Sequence, residues 1–544
     1  MNRRVLAIFL FIALAVWATF GRATANEFIS WDDELLITHN PRITDPTLSN
    51  LEWIWTHPHE DLFIPVVYTA WWTLAHLGGQ PDPVIFHAAN VALHLFNAWL
   101  VFLILRLLLR KDWPAFAGAL LFALHPLQVE AVASATGTKD VLSGFLSLTA
   151  LWFYLLAASR DRRGVYYAAA TGLFILALLA KPMAVVLPLM AATLDFLILG
   201  RPWKRVAAWT LPWLIPAAAI AIVATIVQPS PQADAGPILA RPLVAADAIA
   251  FYLFKLFYPA QLGLDYGRTP SAVLHMHIVG LPWLAIVWIF PAVALILLAR
   301  LRCRVLLSAG AVFIIALLPV LGFVKFNFQA YSTVADRFMY LAMLGPALVL
   351  GQLCNGSIVR TILISAVLAV LAIRSFVQIA YWHDSELFWR HVIAVNPDSY
   401  LGHNNLGVVL ASRGDAAGAI EQYERAIDLR PLSPPEYRYI ADFNTLLGDP
   451  KTGADYARRL LNIQPELDAS ARGDPAELHA WAAQHDLQWA DSARSHGSIE
   501  EAKQAYELAI ADSRTALQLK STNINARQTL ASAETSLKAL TVPR

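Results

Sequence analysis

Long apolar runs separated by short charged turns occupy the first two thirds of the chain. The first extends from Val5 to Phe20 behind Arg3-Arg4. Others follow at about 84–109, 115–124, 141–158, 166–180, 183–199, 206–227, 277–299, 305–323, 338–353 and 361–379. An apolar run of roughly 17–25 residues makes a helix that crosses a bilayer. The shorter runs require Trp, Tyr, Lys or Arg anchors at their ends. The pattern predicts an all-α, polytopic membrane bundle of about 11 spans. Two stretches do not suit a span. Residues 63–77, with Trp71 and Trp72, are too short, and residues 243–258 carry Asp247 and Lys255. Both are expected to lie in the membrane interface. Arg3-Arg4, the first run and Ala23-Thr24-Ala25 also have the grammar of a cleaved signal peptide. A retained span is preferred, because cleavage would leave Trp31-Asp32-Asp33 on a mobile terminus.

From Tyr381 the apolar runs stop and helical periodicity with charge takes over. Tyr400-Leu401-Gly402-His403-Asn404-Asn405-Leu406-Gly407 is followed by Gly414-Asp415, Ala419, Tyr423, Ala426 and Pro431. Small residues at these offsets let two antiparallel helices approach, with Leu406 and Tyr423 filling the gap. Ala441, Gly448-Asp449 and Pro465 repeat the spacing. So do Trp489-Ala490, His496-Gly497, Ala502, Tyr506 and Ala509. A period of about 34 residues is that of tetratricopeptide units. Residues 385–397 read as the second half of an incomplete leading repeat, and 523–540 as an end cap. The predicted domains are a membrane part, 1–380, with a first external loop at 21–83, and an α-solenoid of repeats, 381–544.

Composition agrees. Of 544 residues 57% are hydrophobic and 15% charged, against about 25% charged in soluble proteins. A net charge of +1 gives no reason to expect a nucleic-acid partner. Cys303 and Cys354 alone do not make a disulfide framework. The basic clusters Arg106, Arg110, Lys111; Arg160, Arg162, Arg163; Arg201, Lys204, Arg205; Arg300, Arg302, Arg304; and Arg360 all fall on the side of Arg3-Arg4. Positive charge marks the cytoplasmic face, so the N-terminus is placed there and the repeats on the periplasmic, extracellular or lumenal side.

That opposite face collects the unusual polar residues. Asp32, Asp33 and Glu34 come from the first loop, and His125, Glu130, Lys139 and Asp140 from the loop after the third span. Lys181 separates two spans, and Lys325, Asp336 and Arg337 precede the tenth. Carboxylates beside hydrocarbon need water, a partner or a task. Cations at this depth suit a lipid phosphate or pyrophosphate, and a neighbouring carboxylate could take a proton from an attacking hydroxyl. Duller readings stand beside each: an acidic helix cap, cationic anchors, a local Asp336–Arg337 pair, and His125 capping a helix. His57, His59, Glu60 and Asp61 read as a hydrated loop. No metal site is predicted.

These residues also resemble a family. Trp31-Asp32-Asp33 looks like the acidic first-loop motif of GT-C glycosyltransferases. Phe122 to Pro126, Glu130-Ala131-Val132 and residues 137–142 are similar to the transmembrane and tetratricopeptide-repeat O-mannosyltransferases, as are Asn90 to His94 and Val334 to Leu341. The order of domains is the same. The chain departs from the family where Ala-Glu-Arg reads Ala335-Asp336-Arg337, where Tyr-Arg-Pro reads Phe63-Ile64-Pro65, and in its short repeat array. The resemblance implies a GT-C-like fold and transfer of a sugar from a polyprenyl-phosphate donor to an acceptor hydroxyl of protein Ser or Thr on the non-cytoplasmic face, with mannose as the family's sugar. It maps the base to Asp33, or second Asp32, and phosphate contacts to Arg337, aided by Lys139 or Lys181. The expected partners are that donor, an acceptor protein or peptide, the lipid bilayer, and a protein on the repeats. No organic cofactor is expected, and a divalent cation stays open. The rivals are a non-catalytic membrane scaffold with working repeats and, third, a transporter.

Overall fold

A computed structural model describes residues 3–159, 163–228, 236–279, 303–354, 357–467 and 473–541. The chain forms two compact units, Met1–Pro397 and Asp398–Arg544. Six helices among the described residues are long and apolar enough to cross a membrane, or seven if the bent pair Asp112–Leu124 and Pro126–Ala133 counts as one. Gly164–Ala180, Arg304–Val320 and Leu344–Leu353 are shorter apolar helices. The span expected at 277–299 lies almost wholly outside the described residues.

The helix Pro83–Leu109 organises the first unit. Asp82 caps it by accepting from the Val84 N–H at 2.9 Å, with Pro83 in the first turn where no N–H is needed. Its 27 residues make about 40 Å, enough for the hydrocarbon core. Asn90, His94 and Asn97 recur at helical spacing and form one polar row inside an otherwise apolar helix. Asn90 donates to the Ser134 carbonyl at 2.7 Å and accepts from the Thr138 hydroxyl at 2.7 Å. His94 bridges the Tyr340 hydroxyl and the Ala123 carbonyl, both at 3.0 Å. Asn97 donates to Tyr340 and to the Val141 carbonyl, both at 2.8 Å. The row thus ties the segments around residues 123–141 to the one around 340. Close backbone approach completes the packing: a Cβ on Gly118 would lie 2.3 Å from the Ala347 carbonyl oxygen, so only glycine fits there.

The structure refines three local expectations. The stretch read as a loop at 128–140 is helical over Val129–Ala133 and again from Thr138, so Lys139 and Asp140 sit in the first turn of Thr138–Ser159. The stretch at 63–77 is the helix Pro65–Gly78, with Trp71 fully buried in the protein. Residues 385–397, read as half of a leading repeat, fall in the first unit. They supply the helix Ser385–Val395 of the first unit, whose Trp389 packs edge-on against Trp31 with centroids 5.9 Å apart.

The second unit is a series of antiparallel helix pairs: Tyr400–Ser412 with Ala416–Leu429, Pro434–Leu446 with Pro450–Ile463, and Pro475–Ser495 with Ile499–Leu519. Ile524–Thr541 packs on the last pair. Gly414, Gly448 and Gly497 turn each pair with positive φ. Asp415 and Asp449 cap the second helices of the first two pairs. Inside the third pair Asp486 is almost fully buried, paired with Arg458 at 2.5 Å, its other oxygen without a partner.

Burial outweighs Arg458 and pushes the Asp486 carboxyl up to about 7 from 3.8. Between these values the unfolded chain has released its proton while the folded one has kept it. Stability contributed below about pH 4 is therefore lost as pH rises through about 7, by roughly 4 kcal/mol at most. Hydrogen exchange of peptides from Pro475–Ser495, measured in the full chain, is expected to quicken over that window, and the dependence should flatten in Asp486→Asn.

Candidate active site

The acidic loop is fixed by hydrogen bonds distant in sequence. The Glu27 N–H donates to the His383 carbonyl and the Ser30 N–H to the Ser385 hydroxyl, both at 2.8 Å. The two aspartates that follow have different surroundings. Asp33 is buried, and its carboxylate accepts from the Ile29 N–H and the Thr136 N–H, each at 2.9 Å. Burial raises it to about 6, the two backbone donors opposing that rise. Asp32 keeps 35% of its side chain exposed and pairs through one oxygen with Lys139 at 3.0 Å. Asp33 closes the loop onto residues 134–137, while Asp32 faces open space.

That space is a cavity of about 940 Å³. Asp32, Asp33, Glu130, Asp140, Lys139, Lys181, Lys325 and Arg337 all line it, although they come from five separate stretches of chain. Most are paired. Lys181 meets Asp140 at 2.5 Å. Arg337 holds Glu130 with both its backbone N–H, at 2.9 Å, and its guanidinium, which lies 4.1 Å over the Phe328 ring. Lys325 has no carboxylate partner among the described residues and is exposed to the cavity.

Three expected site residues are not brought to the wall. Glu34 heads the helical turn Glu34–Thr38. His125 uses both ring nitrogens on backbone, one with the Leu256 carbonyl at 3.0 Å and one accepting from the Leu127 N–H at 3.2 Å. Asp336 points away from its neighbour Arg337 and accepts from the Tyr266 hydroxyl at 2.8 Å, burial holding its carboxyl well above the ordinary range. The local Asp336–Arg337 pair is therefore not formed.

The cavity also contains residues that sequence reading passed over. Arg241 donates to the Phe323 carbonyl at 2.7 Å, its Nε buried without a partner. It opens the helix Arg241–Phe257, whose apolar stretch appears in the sequence to begin two residues later. Trp382 and Phe388 also line it, in a stretch whose composition reads as the start of a soluble domain. Only the aromatic content signalled them.

Parts of the chain are similar to known proteins. Residues 57–228 match the family model described as dolichyl-phosphate-mannose-protein mannosyltransferase. The protein O-mannosyl-transferase Tmtc1 of Drosophila melanogaster is 41% identical over 81 residues, 15% of this chain and 9% of that protein. Protein O-mannosyl-transferase TMTC1 of Homo sapiens is 24% identical over 480 residues, 76% of this chain and 54% of that protein. The chain therefore spans about half the length of these relatives or less. Among solved structures, archaeal oligosaccharyltransferase AglB from Archaeoglobus fulgidus, in complex with an inhibitory peptide and a dolichol-phosphate, overlaps loosely. Its TM-score is 0.40 at 13% identity, over 70% of this chain and 56% of that one. The chain is thus similar, over part of its length, to the protein O-mannosyltransferases whose motifs it resembles.

Removing Arg337 would strand Glu130 in a buried site, a loss of about 3–5 kcal/mol. Arg337→Met is expected to lower the unfolding temperature in detergent markedly. Adding Glu130→Met should restore most of it, since no charge then lacks a partner. A double variant no more stable than the single one would mean that the pair is not what holds these segments.

Proposed function

We propose that this chain is an integral membrane glycosyltransferase of the GT-C type. It moves a sugar, in this reading mannose, from a polyprenyl-phosphate donor to a Ser or Thr hydroxyl of a protein on the non-cytoplasmic face. The observation that carries the reading is Asp32, half-open to a large cavity and held by Lys139, with further cations on the same walls. The family model and the named relatives support the reaction class.

Asp32 is the base in this proposal and Asp33 its anchor, the reverse of the order taken from sequence. Asp33 already accepts two backbone N–H groups and has little surface with which to meet a substrate. Asp32 retains an oxygen without a cationic partner, within a site where a hydroxyl could approach at about 2.6–3.2 Å. The acceptor oxygen bonds to the anomeric carbon as the bond from that carbon to the lipid phosphate breaks. Its proton passes to Asp32, and the charge left on phosphate is met by Lys325 and Arg241. These two are favoured because Lys139, Lys181 and Arg337 already face carboxylates. A single displacement inverts the anomeric centre.

The finer architecture belongs to the same proposal: about eleven spans, the N-terminus in the cytoplasm, and tetratricopeptide units from about residue 381 or 398 onward. The helix pairs, with a glycine at each turn, support such units, which would present an acceptor protein or recruit a partner. Asp32→Asn in membranes supplied with labelled polyprenyl-phosphate sugar should reduce transfer by about 10²–10⁴-fold with only a small fall in the unfolding temperature. Asp33→Asn should lower both. Undiminished transfer by Asp32→Asn would remove Asp32 as base.

A further inference from the structure

Bare polar groups are buried against the segment 322–328, while apolar side chains on it are exposed. Gln329 is fully buried, and neither its amide nitrogen nor its amide oxygen has a partner. Thr333, almost as buried, keeps an unpartnered hydroxyl. Both side chains come up to Gly322. A Cβ there would lie 3.0 Å from the Gln329 amide nitrogen and 3.6 Å from the Thr333 methyl group. Gly322 has φ of 86°, a turn that glycine makes without strain. Just beyond it, Phe323 and Val324 are 43% and 67% exposed. A buried amide with no partner is costly, and native proteins rarely keep one. The segment is fastened by Arg241, whose guanidinium donates to the Phe323 carbonyl at 2.7 Å while its Nε stays bare. Arg241, Phe323, Val324 and Lys325 all line the cavity.

From this we propose that residues 322–328 form a strap, and that Arg241 is its latch, released by the phosphate headgroup of a polyprenyl-phosphate lipid. The proposal rests on the glycosyltransferase reading and adds the way in which that site answers its donor. Lys139, Lys181 and Arg337 face carboxylates, whereas Arg241 is matched with a neutral carbonyl. A guanidinium gives up such a partner for phosphate, because a charged acceptor bonds roughly twice as strongly and can meet two of its N–H groups. The Phe323 carbonyl then loses its donor. The Gln329 amide and the Thr333 hydroxyl, both beside the neighbouring Gly322, are donors without partners. They take over that carbonyl as the strap turns about Gly322. Lys325 travels with the strap, so arrival of the donor is coupled to the placing of a second cation.

The test is hydrogen exchange of the full chain in detergent, followed in peptides covering residues 320–330. Polyprenyl phosphate without a sugar should slow these amides about tenfold, as bare groups gain partners. Polyprenol, which lacks the phosphate, should leave them unchanged, and equal slowing by it would overturn the proposal. Equal slowing by inorganic phosphate at the same concentration would overturn the assignment to a lipid headgroup. Arg241→Met, having no latch, should exchange slowly without lipid and show no further response. Gln329→Met removes the waiting donor from a buried place, so the unfolding temperature should rise and the response to lipid should shrink. A lower unfolding temperature with the response intact would make Gln329 a fixed structural group, and the strap would fail. The two readings separate because the probe lipid carries no sugar. Protein that responds to it but transfers nothing from polyprenyl-phosphate mannose loses the enzyme reading and keeps the strap. Protein that transfers mannose while these amides ignore the phosphate keeps the enzyme and loses the strap.

Discussion

An isolated charge at membrane depth is so costly that it must find a partner, and this requirement shapes the first unit. Glu130 and Arg337 are 207 residues apart, and Asp32 and Lys139 are 107 apart, yet each pair meets at the same cavity. Lys181 and Asp140 make a third contact. Each pair joins elements that are otherwise free to slide on apolar surfaces, which have no directional preference. The polar row of Asn90, His94 and Asn97 performs the same service deeper in the bundle, binding carbonyls and Tyr340. Position is thus imposed by a few polar contacts within packing that would tolerate other registers.

The same constraint separates the roles of neighbouring residues. Asp32 and Asp33 are adjacent and chemically alike, but backbone donors surround one and open space faces the other. Asp336 and Arg337 are also adjacent, and point to different partners, Tyr266 and Glu130. In each case alternate orientation of successive side chains directs one into the packed interior and one toward the cavity. Reactivity then follows from what remains unsatisfied. By that criterion Lys325 and Asp32 have capacity to meet a substrate, whereas His125 has none.

The aromatic lining formed by Trp31, Trp382 and Phe388 has a different origin. Its residues sit in short turns and in the helix Ser385–Val395, and they carry no charge pattern that would mark them. Hydrogen bonds from Glu27 and Ser30 to His383 and Ser385 fasten this helix to the acidic loop. The loop with Asp32 is therefore supported from both sides, by Thr136 and by the segment after the last apolar helix.

Sequence by itself determined the all-helical class, the apolar helices, the helix pairs near the C-terminal end and the stretches that contribute charge to the cavity. These are legible because hydrophobic period, glycine turns and buried charge leave local signatures. The helices Pro83–Leu109 and Thr138–Ser159 could be read almost directly, at 84–109 and 141–158, as could the meeting of Asp32, Lys139, Lys181 and Arg337 in one place. What only tertiary structure decided was which charge meets which, which of two adjacent aspartates opens to the cavity, and that Arg241, Trp382 and Phe388 join them. Side-chain pairing across a hundred residues or more depends on how the helices pack, and apolar packing is nearly blind to sequence order. No local pattern therefore records it.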